Sequence, residues 1–157
     1  MVTVAVVAVL QLVIVGVAVA PRLSAYTRGE EYLLRVAPVD PLDPFRGAYV
    51  DLSYPDLQPA TGAEPPGEGR VFVALVRDGD YWVSAGYETD RPTDGPYLTC
   101  ESDGFGVSCG IESWFTDQAE ARRLESELAD GAAATVRIDD RGNAAIVALD
   151  TAVRQPG

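Results

Sequence analysis

The chain contains no histidine and no lysine, only two cysteines and one methionine, and no charged side chain in its first twenty residues. Without histidine there is no Ser-His-Asp or Cys-His catalysis, no imidazole base and no histidine metal site. Without lysine there is no Ser-Lys dyad and no Schiff-base chemistry. Any catalysis would fall to carboxylates, tyrosines, arginines or a thiol. All twelve basic residues are arginine, and against 24 acids they leave a net charge of −12, carried entirely by the part of the chain after residue 20. A surface of that sign repels phosphate backbones and acidic head groups and keeps a domain soluble, so nucleic acid is not expected as a partner. No cofactor-binding signature is present, and the pairs Asp78/Asp80 and Asp139/Asp140 lack the ligand ladder and terminal glutamate of a calcium loop, so no metal is expected.

What is present at the amino end is a long apolar run. From Val2 to Ala20 only Thr3, Gln11 and Gly16 interrupt it, and as a helix it would extend about 28 Å, close to the hydrocarbon thickness of a bilayer. Ala18-Val19-Ala20 has the small-x-small form of a signal-peptidase site. The run is nevertheless longer than a signal peptide's apolar region, no basic residue precedes it and Pro21 follows it, which favours an uncleaved anchor in the lipid bilayer. Arg22, Arg28 and Arg35 follow the helix and on a literal positive-inside reading keep the domain in the cytoplasm. Long domains cross largely regardless of charge, and an even pair of cysteines suits an oxidising compartment, so the expectation is an extracytoplasmic domain.

The organisation expected is an anchor over residues 1–20, a juxtamembrane segment 21–29, a β-rich domain 30–151 and a tail 152–157. Glu31 to Val36 reads as a first strand. Prolines 38, 41 and 44 then forbid a regular helix. From Ala48 to Tyr54 the residues Val50, Leu52 and Tyr54 alternate with Tyr49, Asp51 and Ser53, the period of a half-buried strand. Hairpins are expected at Asp78-Gly79, around Asp103-Gly104-Phe105-Gly106, and across Asp140-Arg141-Gly142. A helix is expected from Thr116 through Leu128, capped by Thr116 and closed by Gly131. The fold class is mainly β (α+β): an N-terminal transmembrane helix, then a small β-barrel or β-sandwich with one helix.

Gly47, Tyr49, Leu52 and Tyr54 fit the pattern Gly-Asp-Tyr-x-x-Leu-x-Tyr, with Ala48 where the pattern has aspartate. Gly110-Ile111-Glu112-Ser113-Trp114-Phe115, followed by Leu124-Glu125, fits Gly-Ile-Glu-x-aromatic-Phe. In both segments the chain resembles the GDYXXLXY proteins, a membrane-associated family, and the resemblance implies a membrane location without implying a particular chemistry. The candidate motif residues are Asp40, Asp43, Arg46, Gly47, Tyr49, Leu52, Tyr54, Gly110, Glu112, Phe115 and Glu125.

Asp40 and Asp43 stand before prolines, where aspartate caps turns more often than it catalyses, and Arg46 suits an internal ion pair with one of them. Tyr49, Tyr54, Trp114 and Phe115 suit sheet packing or the lining of a groove. Cys100 and Cys109 are either a structural disulfide, if the domain is outside, or two inert thiols. No catalytic residue is assigned. The function expected is a membrane-anchored accessory or interaction module for another membrane or envelope protein; the alternatives are a carboxylate-dependent hydrolase and a carrier of a small ligand.

Overall fold

The computed structural model describes residues 2–38, 49–58, 67–116, 124 and 131–151. Helix α1 (Val2–Arg28) is followed by β1 (Glu30–Pro38), β2 (Tyr49–Ser53), a short 3-10 turn (Pro55–Leu57), β3 (Gly69–Asp78), β4 (Tyr81–Glu88), β5 (Tyr97–Ser102), β6 (Val107–Ser108), β7 (Ser113–Phe115), β8 (Ala132–Ile138) and β9 (Ala144–Asp150). The protein is mostly β, with one apolar N-terminal helix. Apart from Leu124, which is buried in the core, the second expected helix lies outside the described residues beyond Thr116.

The strands form two antiparallel sheets, in the orders β7-β2-β1-β8-β9 and β4-β3-β5-β6. Alternation decides which face each strand buries. Val71, Val73 and Leu75 of β3 are buried while Phe72 and Ala74 between them are half-buried. They meet Leu34, Val36, Val50, Leu52 and Val136 from the first sheet and Leu98 and Cys100 from β5 in a single cluster, so the core lies between two packed layers. The layers are also tied at one end. The turn joining β8 to β9 rests on β5, where the Thr99 amide donates to the Gly142 carbonyl at 2.8 Å and the Thr99 hydroxyl to the Arg141 carbonyl at 2.8 Å. A Cβ on Gly142 would stand 2.6 Å from the Tyr97 ring, so this close approach needs glycine.

The three expected hairpins are all present, as β3/β4, β5/β6 and β8/β9. Gly79 takes φ 62° in the first, consistent with an Asp-Gly turn. In the second, Asp103 Oδ1 accepts the amides of Phe105 and Gly106, an aspartate closing its own turn.

Helix α1 runs 27 residues, about 40 Å at the usual rise, and so exceeds a bilayer's hydrocarbon core by two turns. It is long and apolar enough to cross a membrane, with a mean hydropathy of 2.7 and none of its apolar window buried by the rest of the chain. Pro21 lies within it; it has no N–H to give the carbonyl four residues earlier. The helix continues through the expected juxtamembrane segment, and its last turns pack on β8 and β9.

Candidate functional site

The two segments that carry the family resemblance are about sixty residues apart in sequence and adjacent in space. β2 pairs with β7 in the register Tyr49↔Phe115, Val50↔Trp114 and Asp51↔Ser113. The ladder is extended by the Leu52 amide, which donates to the Glu112 carbonyl at 2.7 Å. Alternation turns Val50, Leu52 and Tyr54 inward, and Tyr54 reaches across so that its hydroxyl donates to the Ile111 carbonyl at 2.9 Å. Ile111 itself is buried. Gly110, at φ 77°, makes the turn that admits this segment.

Glu112 points back along its own segment and accepts the Cys109 amide on Oε1. Cys109 is joined to Cys100 of β5 by a disulfide, so the segment is fastened to the second sheet as well. Burial, reinforced by the negative charge of Glu112, pushes the Tyr54 phenol well above its usual range. Its proton is held firmly, and the hydroxyl acts as a fixed donor.

Around this junction lies a cleft of about 280 Å³, bounded by Ser53, Tyr54, Leu57 and Gln58 on one side and by Val73, Tyr87, Val107 and Cys109 on the other, with Asp51 and Glu112 at its polar rim. Burial raises the Tyr87 phenol. The cleft is of the size that takes one or two side chains, at the low end for a small-molecule site. Glu112 is bonded to an amide and Tyr54 to a carbonyl, and neither is arranged as an acid and base facing a common point.

Asp40, Asp43, Arg46, Gly47 and Glu125 lie outside the described residues, as does the Tyr49 side chain. Leu52 is a core residue, Tyr54 and the Glu112 carbonyl fasten β2 to the 110–115 segment, Gly110 accepts from Arg22 of α1, and Phe115, at 70% exposure, sits on the edge strand β7. Among the described residues no group of three or more acids or cysteines is placed to hold a metal ion.

Other residues emerge only from the tertiary structure. Arg35 pairs with Asp56 at 2.8 Å and lies over the Tyr81 ring, 4.3 Å from its centroid, which is a structural use for a residue otherwise notable only as a charge after the helix. Asp139, buried in the β8/β9 turn, accepts the amides of Arg141 and Asn143 on Oδ1 and the Asn143 side chain on Oδ2. Burial opposes its ionisation, but bonds from the Asn143 and Ser24 side chains and from the amides of Arg141 and Asn143 outweigh it and hold the carboxyl below its ordinary range. Asp139 thus ties α1 to the turn. Its signal in the sequence was Asp-x-x-Gly-Asn, an acid closing a turn.

Four further bonds fasten α1 to the domain. Arg22 Nη2 donates to the Gly110 carbonyl at 2.8 Å and Tyr26 Oη to the Ile146 carbonyl at 2.8 Å. Arg137 donates Nε to the Gly29 carbonyl at 3.0 Å and Nη1 to the Tyr26 carbonyl. At Gly29 the helix turns directly into β1, and an added Cβ would lie 2.5 Å from the Ala25 carbonyl oxygen and 2.9 Å from the Ile138 nitrogen.

The fold and the site define a class: a two-layered β domain docked on the end of a long apolar helix, with two signature segments locked together at the rim of a small cleft. The chain belongs to the GDYXXLXY protein family, whose profile matches residues 11–149, from within the helix to β9. No curated protein and no solved structure matches it.

Proposed function

We propose that this protein is a membrane-anchored accessory module whose β domain, on the extracytoplasmic side, holds a segment of another membrane or envelope protein in the cleft beside Tyr54 and Tyr87. The observation that carries this reading is the engagement of the signature residues: Tyr54 on Ile111, Glu112 on Cys109 and Leu52 on Glu112 hold two strands together and leave a mainly apolar recess between the sheets. A hydrolase would need two carboxylates converging on open space, and of the two described acids that line the cleft Glu112 is taken up by the Cys109 amide. The anchor reading draws on the length and exposure of the apolar helix. The extracytoplasmic reading draws on the Cys100–Cys109 bond, which suits an oxidising compartment, and on the ability of long domains to cross largely regardless of flanking charge.

The test is a photo-crosslinking residue at exposed Gln58, on the cleft rim, in intact membranes. One product of defined mass is expected, and Tyr87→Arg, which fills the recess, should abolish it. Absence of any product, together with ester or glycoside hydrolysis that is lost in Glu112→Gln, would replace the module with the hydrolase.

A further inference from the structure

A second groove runs beside the last turns of α1, between Arg22 and Tyr26 of the helix, Trp114 and Phe115 of β7, and Ala145 and Ile146 of β9. Its height relative to the apolar span is set by hydrogen bonds, because Arg22 holds the Gly110 carbonyl and Tyr26 holds the Ile146 carbonyl. Arg22 lies two residues past the apolar run, about 3 Å along the axis, and Tyr26 about 9 Å. The head-group zone of a bilayer occupies roughly 5–8 Å beyond the hydrocarbon on each side. With the apolar run set across the hydrocarbon, the groove opens at head-group depth at Arg22 and reaches the outer edge of that zone at Tyr26.

Its composition suits that depth. Phe115 is 70% exposed, Leu23 58% and Tyr26 47%, an apolar and aromatic surface continuous with the exposed face of the span. Tryptophan and tyrosine concentrate at membrane interfaces because an apolar ring with a polar edge is at home between acyl chains and water. An arginine at the same level donates to phosphate or glycerol oxygens.

We infer that this groove is a seat for a phospholipid of the leaflet in which α1 ends, with the exposed Phe115 ring against the upper acyl chains and Arg22 at the level of the phosphate. The inference rests on the reading of α1 as a membrane span. Lipid is the occupant because the groove continues a helix surface that lipid already covers. A zwitterionic phospholipid is the kind that fits, since a domain of net charge −12 would repel an anionic one. The seat would hold the domain down on the bilayer and fix which side of it faces a partner.

The chain has two tryptophans, so Trp82→Phe with Trp114→Phe and Phe115→Trp leaves a single reporter at position 115 of the full-length protein. It is reconstituted in phosphatidylcholine vesicles whose acyl chains are brominated near the head group. Quenching of more than about twofold by the brominated lipid, with little quenching by aqueous iodide, is the expected result for a ring at the interface. A thermal transition of the triple variant that matches that of Trp82→Phe alone guards against a poorly folded reporter. Flotation of the same vesicles separates the two levels of failure. A protein that does not float defeats both the span and the seat, whereas one that floats with position 115 open to iodide and blind to brominated lipid overturns the seat alone.

Discussion

Gly29→Ala is the substitution that most directly tests the rigid junction between helix and domain. The added methyl would lie 2.5 Å from the Ala25 carbonyl oxygen, 2.9 Å from the Ile138 nitrogen and 3.0 Å from the Ile138 carbonyl carbon. All three are backbone atoms, one on the helix and two on β8, so no side chain can swing aside. The helix end has to move away from β8 by a sizeable fraction of an ångström or more. Overpacking of this kind costs about 1–3 kcal/mol. The same shift stretches the bonds from Arg137 to the Gly29 and Tyr26 carbonyls and from Tyr26 to Ile146, and losing one or two adds about 1 kcal/mol each. The sum is about 2–5 kcal/mol; at about 4 °C per kcal/mol for a domain of this size, it corresponds to a melting temperature lower by roughly 8–20 °C. Gly67→Ala is the control, since a Cβ there meets nothing within 4 Å. Thermal denaturation of the two variants in detergent gives the comparison, and hydrogen exchange at the amides of 25–29 shows whether the helix has come away from the sheet. Equal melting temperatures with unchanged exchange would refute the claim that the close approach at Gly29 sets the junction.

Three other outcomes follow from particular contacts. Tyr54→Phe leaves the buried Ile111 carbonyl without its donor and should lower stability by about 1–3 kcal/mol in denaturant titrations; an unchanged midpoint would mean that the hydroxyl does not fasten the 110–115 segment. Replacing Cys100 and Cys109 together by serine opens a loop of nine-residue separation and should cost about 2.5–3 kcal/mol on the chain-entropy account, with the buried Cys100 position adding to it. Alkylation before and after reduction, followed by intact-mass measurement, shows whether the bond forms in the cell. Because the Asp139 carboxyl is held below its ordinary range in the folded state, its contribution is full above the unfolded value of about 3.9 and is lost as pH falls through the lower folded value. Asp139→Asn should therefore flatten the acid limb of the stability profile, and an acid limb as steep as that of the native protein would show that the turn does not depend on that charge.

Local patterns in the sequence carried much of the fold. The helix is legible because lipid-compatible residues occupy nineteen consecutive positions, a property of composition that needs no partner. The hairpins at Asp78-Gly79, Asp103-Gly104 and Asp140-Arg141-Gly142 are legible because a turn is a matter of four or five residues and of which of them tolerate its backbone angles. Alternation in β2 separated Val50, Leu52 and Tyr54, which are buried, from their neighbours, since a strand's side chains must point to opposite sides wherever the strand lies.

The site was legible as two stretches of resemblance but not as an arrangement. Nothing near Tyr54 in the sequence indicates that its hydroxyl meets the carbonyl of Ile111, 57 positions away, or that Glu112 turns back to its own neighbour at Cys109. The same holds for residues 21–29, whose short polar composition suggested a segment between two units. Arg137, more than a hundred positions further on, binds the carbonyls of Tyr26 and Gly29, and with Arg22 and Tyr26 holding the 110 and 146 backbones the helix runs straight into the domain. Arg35 changes meaning in the same way, from a charge that bears on orientation to one half of an ion pair with Asp56. The physical reason is one of range. Hydrophobicity, turn chemistry and strand alternation are properties of neighbouring residues and are written in order along the chain. Which carbonyl a tyrosine or arginine reaches depends on how two sheets and a helix end pack, and that is settled only when the whole core closes.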